Sequence, residues 1–289
     1  MLTIHPKPKP RPWHPPIATN PTSSSVPFKI RTLPTTIAST VNENKETQQQ
    51  STAGNVKRLV LNQEGRSKLN AYPDRDFYAY PRFVTHVDDG FISTLTKLYR
   101  ERLRPGCEIL DLMSSWVSHL PEEVVYKRVV GHGLNAQELA KNPRLDYFFV
   151  KDLNQDQKLE LESCSFDAVL CTVSVQYLQQ PEKVFAEVFR VLSPGGMFIV
   201  SFSNRMFYDK AISLWRDGTG YSRVQLVVQY FQCVEGFIQP EIIRKLPSAA
   251  GAQEDKSPFS WIARLLGLLS GSDPFYAVIA YKNFKPVYE

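Results

Sequence analysis

Cys107 to Pro121, CEILDLMSSWVSHLP, is the stretch whose reading decides the fold. Glu108 to Leu112 is an apolar run of strand length that stops abruptly in small polar residues, with an acid, Asp111, at its end. Upstream there is no regular β signal, whereas downstream strand-like runs alternate with helix-like ones almost to the C-terminus. That alternation predicts an α/β domain with a parallel sheet, and this run is its first doubly wound strand. Ligands of such sheets bind beyond the carboxyl ends of the strands, where strand order reverses. Asp111 to Ser118 are therefore expected to line a ligand crevice.

Working outward, Pro121-Glu-Glu predicts a helical turn, since Pro suits the first helical position and acids favour that end. Lys127 to Gly133 predicts a second strand. Asn135 to Asn142 predicts a short helix capped by Asn135 and stopped before Pro143. Tyr147 to Val150 and Phe166 to Val173 predict a third and a fourth strand, the latter a continuous apolar run suited to a sheet centre. Glu182 to Leu192 then reads as an amphipathic helix, Ser193-Pro-Gly-Gly as a turn and Met197 to Phe202 as a fifth strand. Asn204 to Trp215 and Arg223 to Gln232 read as helices. Phe237 to Leu246 and Pro274 to Tyr281 read as a final hairpin carrying an apolar insertion, Ser257 to Ser270. The insertion is a lid, a partner surface or packing on the domain.

Length and composition bound the rest. The chain has 289 residues, 43% hydrophobic and 12% aromatic, enough for a sizeable core. Its net charge of +5 comes from Met1 to Asn42, which holds five Lys/Arg and no acid; the remainder is neutral. No basic excess is left for nucleic acid, whose binding needs clustered Lys/Arg. The same leader holds eleven Ser/Thr and nine Pro. Such a stretch reads as an organellar transit peptide, plastid rather than mitochondrial, or as a disordered tail. The expected organisation is residues 1–55 as transit peptide and linker, 56–105 as a cap and 106–289 as the catalytic-type domain. The expected location is the chloroplast stroma. The cap's Ala71 to His86 spends aromatics among polar neighbours, which predicts packing on the sheet. Three of the four cysteines lie in or beside apolar runs and read as buried thiols without metal-type spacing. No run approaches the ~20 apolar residues of a membrane span.

Phe166-Asp-Ala-Val, Tyr177-Leu and Val184-Phe-Ala-Glu-Val-Phe-Arg-Val-Leu-Ser-Pro-Gly-Gly-Met-Phe succeed one another in strict order. With five β/α repeats and a closing extended pair, this resembles the class I S-adenosylmethionine-dependent methyltransferases, small-molecule branch, over Arg104 to Lys282. The resemblance implies a Rossmann-like, mostly parallel sheet with a C-terminal antiparallel hairpin, and S-adenosylmethionine as cofactor. It also implies cofactor contacts from Asp111, Asp152, Leu153 and Thr172. Two departures stand out. Met113, Ser115 and Val117 occupy the family's three glycine positions, so side chains project where bare backbone is wanted. Gly133 stands where the family has a ribose-binding carboxylate. A hydrogen bond to a charged group is worth ~1.5–3 kcal/mol, so its loss costs about one to two orders of magnitude in affinity. His132 or Asn135 is the expected substitute.

Methyl transfer needs alignment and exclusion of water, and a base only where the acceptor loses a proton. His119, His86 and Tyr177 are the candidate acceptor-side groups, each against a structural alternative. Arg205 is a candidate anchor for an anionic acceptor or a solvated helix start. The reading is a methyltransferase-like protein acting on a small-molecule or protein acceptor. The rival is a degenerate methyltransferase fold that serves as a ligand-binding or assembly module without turnover.

Overall fold

A computed structural model of the chain describes residues 11–12, 54–246 and 272–287. The remainder of the leader and the Ser257–Ser270 insertion lie outside the described residues. In chain order the elements are β1 (Arg11–Pro12), α1 (Asp74–Phe77), α2 (Asp89–Arg102), β2 (Glu108–Leu112), β3 (Arg128–Gly133), α3 (Ala136–Lys141), β4 (Tyr147–Val150), β5 (Phe166–Thr172), α4 (Pro181–Val191), β6 (Leu192–Phe202), α5 (Ser213–Arg216), α6 (Gly220–Gln232), β7 (Glu241–Lys245) and β8 (Phe275–Tyr281).

The strands form one sheet in the order β1-β4-β3-β2-β5-β6-β8-β7, parallel except that β8 runs antiparallel to both β6 and β7. Order reverses between β2 and β5, where Leu112 lies beside Cys171. This is the expected doubly wound α/β sheet with a closing antiparallel pair. Successive residues of a strand face opposite sides, and each side is covered by helices. Ile109, Val129, Leu170 and Ile199 pack toward Phe91, Leu95, Leu98 and Tyr99 of α2 and Leu139 of α3. Leu110, Val130, Val169 and Val200 pack toward Val184, Phe185 and Val188 of α4 and Val224, Val227 and Phe231 of α6. Strands buried on both faces explain the continuous apolar runs.

Three expectations need correction. No helix follows Pro121; the chain from Met113 to Lys127 crosses from β2 to β3 as loops and turns. Contacts with distant segments hold it instead. Asn142 Nδ2 donates to the Ser115 carbonyl (3.0 Å), and Trp116 Nε1 donates to the Val84 carbonyl (3.1 Å). Ser193-Pro-Gly-Gly is not a turn between elements but a bulge within β6, where pairing jumps from Phe166–Leu192 to Ala168–Met197. Gly195 makes the bulge possible with φ 76°, a left-handed conformation that costs glycine nothing. Asn204 to Trp215 is a loop ending in the single turn α5, held by Tyr177 and Gln176 rather than by its own ladder: Phe207 N–H donates to Tyr177 Oη (2.8 Å) and Ile212 N–H to the Gln176 carbonyl (3.0 Å). Of the cysteines, Cys171 and Cys233 are buried and Cys107 half-buried, but Cys164 is exposed.

The segment before α2 lies on the strand exits and is fastened by buried polar groups. Glu182 Oε1, at the start of α4, accepts from Val60 N–H (2.8 Å), Leu61 N–H (2.9 Å) and Arg66 Nη2 (3.0 Å). Asp74 sits between the ammonium groups of Lys68 (2.5 Å) and Lys210 (3.1 Å) and accepts from Asn154 Nδ2 (2.8 Å). Burial pushes the Asp74 carboxyl up, but the Lys68 ammonium and the hydrogen bonds from Lys68, Asn154 and Lys210 together hold the group below its ordinary value. No helix among the described residues is long and apolar enough to cross a membrane, and no group of three or more His, Cys, Asp or Glu among them could hold a metal ion.

Candidate functional site

Between the strand exits and this cap lies a cavity of about 340 Å³, within the ~300–1,000 Å³ range of small-molecule sites. Asp111, Met113, Ser115, His132, Asn135, Asp152, Leu153 and Thr172 all line it, as do His86, His119 and Tyr177. These residues therefore share one space, although Leu112 and Trp116 of the Asp111–Ser118 stretch do not line it. What each can do there differs.

Asp111, at the end of β2, is 4% exposed. Its Oδ2 accepts from the hydroxyls of Ser114 (2.6 Å) and Ser118 (2.5 Å), with no cation beside it among the described residues. Burial outweighs these bonds and raises its pKa to about 6. Met113 keeps the backbone conformation that a glycine supplies, φ 58°, while its side chain packs against the core on the α4–α6 face. Val173, at the exit of β5, is also left-handed at φ 51°. For a β-branched residue this is a true outlier, of a kind that clusters at functional sites. It is fixed by its N–H on the Ser201 carbonyl (2.7 Å), and Ser174 Oγ donates toward the Met113 carbonyl (3.1 Å).

The two expected substitutes for a ribose-binding acid are not free. His132 is 1% exposed. Its Nδ1 accepts from Met113 N–H (3.1 Å), which makes Nε2 the donor to the Lys151 carbonyl (2.9 Å). Burial lowers its pKa to about 4, so the ring is a neutral brace between β2, β3 and the exit of β4. Asn135 Oδ1 caps α3 by accepting from Gln137 and Glu138 N–H, and its Nδ2 donates to the Tyr78 (2.8 Å) and Ala79 (3.1 Å) carbonyls. Gly133 itself has no room for an acid, because a Cβ there would stand 2.5 Å from the Ser114 carbonyl oxygen.

Open carboxylate oxygens lie nearby instead. Glu138, in the first turn of α3, lines the cavity and, among the described residues, spends only Oε1, on Arg82 N–H (2.6 Å); burial raises its pKa. Asp152 spends only Oδ1, on Asn154 N–H (2.9 Å). Thr172 is bound through Oγ1 to Tyr99 Oη (2.7 Å) and Ser201 Oγ (3.3 Å).

The far end of the cavity is aromatic. Phe207 packs edge-on to Phe77 (5.2 Å), Tyr78 (6.2 Å) and His86 (5.3 Å), with Tyr177 at 6.0 Å. Burial raises the Tyr177 phenol to about 12, which makes it a hydrogen-bond donor and not a base. His86 is lowered by burial and by Arg82, and His119 by burial alone, so both imidazoles are neutral at neutral pH. Arg205 is paired with Asp273 (2.7 Å) and is not a free anion anchor. Arg82, Glu138, Asp74, Tyr78, Phe207 and Val173 were not singled out from the sequence. Asp74, Tyr78 and Arg82 lie in the aromatic-rich stretch 71–86, but aromatic density there does not track burial: Phe77 and Tyr78 are half-buried, whereas Tyr72, Tyr80 and Phe83 are exposed.

A family model described as a methyltransferase domain matches residues 115–200, from the loop after β2 to β6. No curated protein matches the chain in sequence. Among solved structures, the chain is similar to phosphoethanolamine N-methyltransferase 2 of Haemonchus contortus in complex with S-adenosyl-L-methionine, at 18% identity and TM-score 0.45 over 68% of this chain and 54% of that one. It is also similar to an S-adenosylmethionine-dependent methyltransferase of Mesorhizobium loti, at 19% identity and TM-score 0.42 over 64% and 96%. A possible histamine N-methyltransferase of Thermotoga maritima aligns at 16% identity and TM-score 0.44 over 67% and 90%. The chain thus spans about half the length of the Haemonchus enzyme, and residues 115–200, which carry much of the cavity floor, match a methyltransferase domain.

Proposed function

We propose that this protein binds S-adenosylmethionine in the strand-exit cavity and directs its methyl group to a small-molecule acceptor. The observation that carries the reading is convergence: Asp111, Glu138 and Asp152, with open or unpaired carboxylate oxygens, share one cavity with the two left-handed residues Met113 and Val173. The donor set fits the cofactor. Asp152 would hold the adenine amino group, Glu138 the ribose hydroxyls and Asp111 the amino group of the methionine end. When bound, the cofactor supplies a methyl group activated by a sulfonium. The chain's part is to position and to exclude water. Tyr78, Tyr177 and Phe207 wall the acceptor end, and neutral His86 or His119 can take a proton from the acceptor.

The rival reading, a binding module without turnover, draws support from the closed position at Gly133. Calorimetric titration with S-adenosylmethionine and S-adenosylhomocysteine tests the cofactor reading. Saturable heat with both is expected, and no heat at millimolar concentration overturns it. A search for methylated product in extract then separates enzyme from module. Plastid targeting by residues 1–55 is part of the proposal. A fluorescent fusion of that segment tests it, and diffuse cytosolic signal overturns it.

A further inference from the structure

We propose that Arg82 is the anchor for a carboxylate carried by a ligand of this cavity. The inference rests on the reading that the cavity holds an adenosyl cofactor and an acceptor. Three long cationic side chains line the space. Lys151 is paired with Asp156 (2.6 Å) and Glu160 (3.7 Å), and Arg205 with Asp273 (2.7 Å). Arg82 has no carboxylate partner for its guanidinium among the described residues.

Its position is fixed all the same. Nη2 donates to the Phe77 carbonyl (3.0 Å), and the guanidinium carbon lies 4.6 Å from the centre of the Phe77 ring, 5.5 Å from that of Phe207 and 5.8 Å from that of Tyr78. Nη1 is buried without a hydrogen-bond partner, so one arm of the fork is unspent. A guanidinium held flat with a free arm matches the planar, two-oxygen geometry of a carboxylate.

On the Phe77 side of the cavity, away from Asp111 and Asp152, the charges favour an anion. Lys68 and Lys210 outnumber Asp74 in the adjacent cluster, and Lys210 also lies over Phe77 at 5.4 Å. Glu138 stands beside Arg82, and its Oε1 is taken by the Arg82 backbone N–H. The faces of Phe77, Tyr78 and Phe207 already carry cations, so the aromatic end is not a cage for an ammonium group.

Two ligands could bring the carboxylate: the methionine end of the cofactor, or the acceptor. Calorimetry with the wild type, Arg82→Gln and Arg82→Lys distinguishes them. The first arm compares S-adenosylhomocysteine with its decarboxylated analogue, S-adenosylthiopropylamine. The second, with S-adenosylhomocysteine saturating, compares benzoate with benzamide.

If the cofactor supplies the group, Arg82→Gln weakens S-adenosylhomocysteine by about 10- to 100-fold and leaves the decarboxylated analogue unchanged. If the acceptor supplies it, Arg82→Gln leaves S-adenosylhomocysteine unchanged and abolishes the preference for benzoate over benzamide. Arg82→Lys recovers part of either loss. Unchanged analogue binding also shows that the variant is folded. Equal weakening of S-adenosylhomocysteine and its analogue, or no change in either arm, overturns the proposal. A wild type that binds neither adenosyl ligand fails the cofactor reading itself, and the anchor with it.

Discussion

Asp111 and His132 face the same crevice with opposite titration. Native Asp111 keeps its proton to about 6, whereas the unfolded chain releases it near 3.8. The native state therefore binds more protons in that window, and this group's contribution to stability falls as pH rises through it. His132 behaves in reverse: the unfolded ring takes a proton near 6.5 and the native ring only near 4, so its contribution falls as pH drops. Each difference is worth roughly 3 kcal/mol, and the two slopes largely cancel. Asp111→Asn is expected to melt higher than the wild type at neutral pH, with the gap closing on acidification to about 4. Thermal melts across that range check the sign, and a variant less stable than the wild type at neutral pH contradicts the burial argument. Glu138→Gln keeps an acceptor for Arg82 N–H but loses charge, so affinity for S-adenosylhomocysteine is expected to drop about tenfold with little change in melting temperature. Gly133→Asp, which puts a carboxylate at the end of β3, is expected to destabilise by about 1–3 kcal/mol without tightening binding, because its Cβ meets the Ser114 carbonyl. The residue types at these positions were legible in the sequence. The cap that Asn135 places on α3 was legible too. The commitment of His132 to Met113 and Lys151, and of Asn135 Nδ2 to Tyr78 and Ala79, was not, because those partners are backbone groups of other segments.

At the scale of elements, strands buried on both faces announced themselves by apolar continuity, and α4 by its 3.6-residue stripe of Val184, Phe185, Val188 and Phe189, continued by Leu192. Two helical readings failed where the backbone finds its partners elsewhere. Residues 204–215 have enough apolar spacing for a helix, but Phe207 and Ile212 N–H groups are drawn to Tyr177 and Gln176. The crossover after β2 is likewise held by Asn142 and by Val84. Asn135 joins both levels, since it caps α3 and fastens the cap through two carbonyls. Asn135→Ala is expected to cost about 2 kcal/mol or more, ~1 from the helix cap and the rest from stranded carbonyls. Limited trypsin digestion should then cut faster at Arg75 and Arg82. Unchanged cleavage there would separate the cap's attachment from Asn135.

Over the whole molecule, the cap closes the cavity and ties its two halves, and its attachment relies on buried charge. Glu182 is 1% exposed and bridges Arg66 and the Val60 and Leu61 amides to α4. Glu182→Ala leaves a partly buried guanidinium and two amides without their acceptor, and a loss of about 3–5 kcal/mol is expected. Hydrogen exchange should localise the loosening to residues 56–88, and uniform loosening of the sheet would show the cap and core to be one cooperative unit.

The sequence by itself determined the alternation of strands and helices, the sheet's closing antiparallel pair and the strand exits at which a ligand site must lie. These follow from periodicity, caps and breakers, which act within a few residues. Only the tertiary structure decided which polar groups remain open in that site. Glu138 spends its bonded oxygen on Arg82 N–H, 56 positions away. Asp152 and the Arg82 guanidinium bond close by, to Asn154 and Phe77, but which of their remaining atoms stay open is set by how distant segments pack around them. Solvent exclusion and long-range pairing have no signature within a local window, and they set the chemistry of the cavity.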